Sequence, residues 1–145
     1  GRSIMSVIGF NFTKVNVERG TPTSKDKINI SNSINITDVQ KTSINLGGNS
    51  SEGIRYKFSY KASYNPGVGV IELQGEVLSV EDNVEQIVSE WNENKKIDPK
   101  ISQSIITNAL HKASVLSLFL SREIGLPAPF PLPKAKAGQS KAKQE

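Results

Sequence analysis

An α+β fold, with antiparallel strands first and helices after, is what this 145-residue sequence predicts. Three observations predict it. Side chains alternate with period two through the first half of the chain. The residues flanking Asn65-Pro66-Gly67 read as a hairpin whose two faces agree on one register. The stretch after Asp98-Pro99 is apolar at helical spacing.

The first strand is expected over Ile8 to Glu18. Ile8, Phe10 and Phe12 share one parity, while Val15 and Val17 take the other. A shift of one residue predicts a β-bulge near Thr13–Lys14. The second strand is expected over Lys27 to Thr37, with Ile28, Ile30, Asn32, Ile34 and Ile36 on one face and Asn29, Ser31, Ser33 and Asn35 on the other. Lys41 to Leu46 is a further candidate strand, and Gly47 to Gly53 is expected as a loop.

The hairpin from Ile54 to Leu78 is specified twice over. Tyr56, Phe58, Tyr60, Ala62 and Tyr64 form one face of its first strand, and Arg55, Lys57, Ser59, Lys61 and Ser63 the other. Placing Tyr64 opposite Gly69 sets Lys61 against Glu72 and Lys57 against Glu76. The same register sets Tyr60 against Leu73 and lays the Phe58 ring over Gly75. Such cross-strand pairs contribute roughly 0.2–1 kcal/mol each.

The second half is helical. Ser79 or Asp82 is expected to cap a short helix in which Val84, Ile87, Val88 and Trp91 recur at i, i+3, i+4 and i+7, ending at Lys95–Lys96. Asp98-Pro99 supplies a capping residue and a proline at the first helical position of a long helix over Lys100 to Ile124. Ile101, Ile105, Ala109, Ala113, Leu116 and Leu120 mark its expected buried stripe. Ile106, Leu110, Val115, Leu118 and Phe119 widen it beyond one face. A helix apolar on so much of its circumference needs cover on two sides. The sheet is expected to supply one, and another copy of the chain the other, through Ile106, Leu110, His111 and Leu118. Gly125 stops the helix. Leu126-Pro127-Ala128-Pro129-Phe130-Pro131-Leu132-Pro133 then reads as an extended strap, because alternating prolines forbid helix and ladder alike.

Composition excludes much chemistry. With no cysteine and one histidine, the chain has no disulfide, thiolate metal site, thiol nucleophile or multi-histidine metal site. His111 stands alone in the long helix, and Gly67-Val68-Gly69 lies between antiparallel strands with no helix start behind it. No converging catalytic set is legible, so a non-enzyme without cofactor or metal is expected. Val115 to Leu120 is the longest strongly apolar run, far short of the roughly 20 residues of a membrane span, and a cytoplasmic location is expected. The formal charge is +4, but Arg2 and four tail lysines account for five of the 18 basic residues and Glu145 for one of the 14 acidic ones. Residues 5–133 are therefore balanced at 13 of each. Gly1 to Ile4 read as a cloning remnant before Met5, 5–133 as one domain, and 134–145 as a disordered lysine-rich tail.

The order of these pieces resembles the SecB export-chaperone family. Ile8 to Glu18 and Lys27 to Thr37 match its first strands, and Arg55 to Ser79 its hairpin. Asp98-Pro99 opens the long helix, and Gly125-Leu126-Pro127 through Leu132-Pro133 closes it. The resemblance implies a four-stranded antiparallel sheet carrying a long C-terminal helix on one face, with the Pro-rich strap; the short helix within Ser79 to Lys96 reads as an insertion relative to bacterial members and completes the expected fold. It further implies dimers paired through the long helices into a homotetramer, acting in protein transport. Apolar grooves would hold non-native polypeptides without ATP. The residues it puts forward for such a groove are Ile124, Leu126, Phe130 and Leu132 in the strap, with Trp91 at its border. A reading from a different class is a ribosome- or RNA-associated accessory protein, recruited through Lys134, Lys136, Lys141 and Lys143.

Overall fold

The computed structural model describes residues 5–21 and 27–129. Gly1 to Ile4, and residues 130–145 with Phe130, Leu132 and the tail lysines, lie outside the described residues. Four strands, β1 (Met5–Arg19), β2 (Asn29–Leu46), β3 (Asn49–Asn65) and β4 (Gly69–Glu81), form one antiparallel sheet in the order β1-β4-β3-β2. Helices α1 (Val84–Asn94) and α2 (Pro99–Glu123) follow. The fold is the α+β architecture that the sequence predicts.

The β3–β4 hairpin adopts the expected register, with Tyr64 opposite Gly69, Lys61 opposite Glu72, Tyr60 opposite Leu73, Phe58 opposite Gly75 and Lys57 opposite Glu76. The charges use diagonal and outer-strand neighbours instead of direct partners. Arg55 Nε lies 3.5 Å from Glu76, and the Asn16 amide donates to Glu72 at 2.8 Å. In β1 a register shift falls between Phe12 and Lys14, where the change of parity predicts it, and a second falls between Val7 and Gly9.

Two expectations about the strands need correction. Residues 29–37 and 41–46 belong to a single strand, β2, because a bulge between Ile36 and Asp38 carries the chain through its change of parity. The loop expected over Gly47 to Gly53 shrinks to the pair Gly47-Gly48, whose φ values of 59° and 90° suit a two-residue hairpin turn. Asn49 onward then pairs with β2.

One face of the sheet carries the helices. Ile54, Tyr56, Phe58, Tyr60, Ala62 and Tyr64 are buried along β3, with Ile71, Leu73 and Val77 beside them on β4. Helix α1 buries Val84, Ile87 and Trp91 at the predicted spacing. Its start differs from expectation. Asn83 holds the cap position without a side-chain hydrogen bond, because β4 runs on to Glu81 and keeps Ser79 inside the sheet. Helix α2 begins as predicted, with the Asp98 carboxylate accepting from the Lys100 N–H at 2.9 Å and proline at the first helical position. Gly125, at φ 74°, ends it.

The deepest line of α2 is Ile105, Ala109, Ala113, Ser117 and Ser121. Leu116, Leu120 and Ile101, expected there, are only partly buried. The large aromatic side chains of β3 fill the layer between sheet and helix, so the helix approaches most closely where its own side chains are small. Ser117 and Ser121 tolerate burial because each hydroxyl donates to a carbonyl of its own helix, Ser114 at 3.1 Å and Leu118 at 2.8 Å.

At the end of β4 the Tyr56 hydroxyl donates to the buried Glu81 carboxylate. Burial lifts the Glu81 carboxyl above its ordinary value of 4.5, against the lowering effect of the hydrogen bond from Tyr56. The folded state therefore holds this proton more tightly than the unfolded chain. The stability so gained is complete at acidic pH and is lost as pH rises through the lifted value. Glu81→Gln, which keeps the shape and removes the charge, is expected to flatten that decline in denaturant midpoints measured from about pH 4 to 7. Parallel curves for the two proteins would refute the assignment.

Candidate functional site

Helix α2 turns its bulk outward. While alanine and serine follow Ile105 along its buried side, Leu110 is 39%, Val115 62% and Phe119 58% exposed. An amphipathic helix of a self-contained domain does the reverse. The exposed residues lie on two flanks. Lys112, three residues before Val115 and seven before Phe119, holds its Nζ 5.7 Å from the Phe10 ring, so this flank faces β1. There Phe10 and Phe12 are half-buried and packed edge-on with centroids 4.9 Å apart, and Val15 of the same strand is 49% exposed. The result is an open apolar band shared by α2 and β1.

Beyond the end of α2, residues 126–129 lie along the opposite end of the core. Leu126 is buried among Tyr60, Tyr64, Val68 and Leu73. Pro129 is also fully buried. The Tyr64 hydroxyl donates to the Pro127 carbonyl at 2.7 Å, the Asn32 amide to the Pro129 carbonyl at 2.7 Å, and the Arg19 guanidinium to the Ile124 carbonyl at 3.0 Å. Burial pushes the Tyr64 hydroxyl up to about 12, so it remains a donor at any physiological pH. The described part of the Pro-rich segment is thus an ordered strap.

Among solved structures, this arrangement is similar to the Mycobacterium tuberculosis SecB-like chaperone Rv1957, solved in complex with a ChAD peptide from the Rv1956 HigA1 antitoxin. The likeness covers 88% of each chain, with a TM-score of 0.50 and 10% sequence identity. The fold is SecB-like. No family model matches the sequence, and no curated protein matches it. The shared architecture is therefore carried by packing and topology.

On this SecB-like fold the sequence-predicted groove residues separate. Ile124 and Leu126 pack together at the strap end. Trp91 belongs to another cluster, with Val84, Ile87, Tyr56 and Ile105, and the structure does not bring it to the strap. Lys95 covers its ring, with Nζ 5.2 Å from the centroid. Phe130 and Leu132 lie outside the described residues, as do Lys134, Lys136, Lys141 and Lys143. Of the predicted association residues, Leu110 and His111 are exposed and Ile106 and Leu118 half-buried, all on α2. Sequence reasoning missed Arg19, Asn32 and Val15. Asn32 did leave a signal, a polar residue in an isoleucine row, which implies a buried partner. Among the described residues, no group of three or more His, Asp or Glu side chains is placed to hold a metal ion.

Proposed function

We propose that this chain is a chaperone of the holdase type, binding non-native polypeptides on an apolar surface without nucleotide. The observation that carries the reading is the inversion of α2 beyond Ile105, with Ala109, Ala113, Ser117 and Ser121 inward and Leu110, Val115 and Phe119 outward. Apolar area left in water is stabilised by whatever covers it, at about 25 cal/mol per Å². A surface of this kind suits clients that share apolar side chains and little else. Val115 and Phe119, with Val15, Phe10 and Phe12, form the client-facing band. Leu110, His111 and Leu118 serve self-association into a homo-oligomer. The peptide held by the similar M. tuberculosis chaperone supports a polypeptide as the ligand class.

Light scattering from a denatured, aggregating model protein tests the reading. Stoichiometric addition of the chain is expected to suppress the scattering without ATP. An unchanged trace at molar excess would remove the holdase assignment. Static light scattering of the chain alone is expected to give more than the 15.8 kDa of one copy.

A further inference from the structure

The strap sits on the fold as a ligand sits in a groove. Its buried positions have the three-residue spacing of polyproline II, in which positions i and i+3 face the same way. Leu126 and Pro129 stand in that relation and are both buried, while Pro127 between them is exposed and Ala128 half-buried. Every strap carbonyl that is held accepts from a side chain, Pro127 from Tyr64 and Pro129 from Asn32. Donor-only recognition suits a segment whose prolines have no N–H to offer.

The groove is built for this. The Tyr60 hydroxyl donates to Asn32 Oδ1 at 2.6 Å, which leaves the Asn32 amide N–H₂ to face the strap carbonyl. Leu126 occupies a slot whose floor is Gly69. A Cβ at Gly69 would stand 2.8 Å from the Glu18 carbonyl oxygen and 2.9 Å from Leu126 Cδ1, so the floor of the slot has room for glycine alone unless the Leu126 side chain shifts. Aromatic walls, hydroxyl and amide donors aimed at carbonyls, and slots at three-residue spacing together form a polyproline-reading surface.

We infer that the ledge made by Asn32, Tyr60, Tyr64 and Gly69 is a binding site for extended, proline-containing apolar peptide, occupied in cis by residues 126–129. A proline-containing segment of another polypeptide takes the site when the strap leaves it. The tethered strap competes at the high effective concentration of an intramolecular ligand, so it sets the threshold for entry. The inference does not depend on aggregation holding, since it concerns a single folded groove and a short peptide.

The probe is a fluorescent peptide with the sequence of residues 124–133, titrated against the full chain by anisotropy. The double substitution Leu126→Ser with Pro129→Gly frees the groove without altering it, and is expected to tighten peptide binding about tenfold or more over the unaltered chain. Adding Tyr64→Phe and Asn32→Ala to that protein is expected to reverse the gain by about tenfold. Equal binding by the unaltered and strap-substituted chains overturns the proposal, as does indifference to the second pair of substitutions. Should the strap-substituted chain fail to fold, Asn32→Ala in the otherwise unaltered chain decides. Amide exchange at Leu126, whose N–H donates to the Ser121 carbonyl at 2.8 Å, is then expected to quicken about tenfold, and unchanged exchange overturns the groove. Because no aggregating client is present, either result is read separately from the holdase assay.

Discussion

Replacing Val115 and Phe119 together by aspartate is expected to abolish aggregation suppression while leaving the fold intact. The two side chains are 62% and 58% exposed, so the domain loses little internal packing when they change. A client covering them loses much more. A large apolar side chain gains roughly 1.5–3 kcal/mol on full burial, and these two have somewhat over half of that still to gain. Together they contribute about 2–4 kcal/mol, or roughly 30- to 1,000-fold in affinity. The introduced carboxylates add a desolvation penalty on top. Thermal unfolding should move by no more than a few degrees. Undiminished suppression of scattering by the double variant would place the client surface elsewhere.

Gly75→Ala is expected to be among the most damaging small substitutions in the sheet. A Cβ at this position would stand 2.6 Å from the Asn11 carbonyl oxygen and 2.7 Å from Phe58 Cζ. The carbonyl belongs to the paired strand β1, and the Phe58 ring is held against Phe10 at 5.4 Å and Phe12 at 6.3 Å between centroids. Neither side can yield cheaply. A cost of about 3 kcal/mol, at the upper end for overpacking, corresponds to a fall in Tm of roughly 10 °C for a domain of this size. Gly9→Ala is the matched control, since its Cβ would meet only the flexible Leu78 side chain, at 3.3 Å. Comparable losses at the two glycines would show that the ring-over-glycine contact is not what constrains Gly75.

The sequence made the hairpin legible because two independent faces had to satisfy one register, and only one alignment pairs both Tyr60 with Leu73 and Lys61 with Glu72. The bulge after Phe12, the Asp98-Pro99 helix start and the Gly125 stop were legible because each has a local chemical cause. What was hidden depends on partners distant in sequence. The burial of Ser117 and Ser121 follows only once the tyrosines opposite them are known to fill the layer. Asn83 replaces the expected caps only because β4 extends to Glu81, which a run of apolar and polar residues does not delimit. Of the candidate site, the apolar excess of α2 was visible as composition along one helix. Its division into a β1-facing flank and an opposite flank required the rings of Phe10 and Phe12. The grouping of Trp91 with the strap failed because neighbourhood was inferred from chemical type, whereas the sheet sets the two in different clusters.

The register shifts in this sheet all fall on its two outermost strands, after Val7, Phe12 and Ile36, and none interrupts the central β3–β4 pair. A flat rim with regular spacing invites a second rim to zip onto it and begin a fibril. Three kinks on the rims break that repeat. A molecule whose work would gather half-folded chains at high local density thereby avoids becoming the seed on which they polymerise.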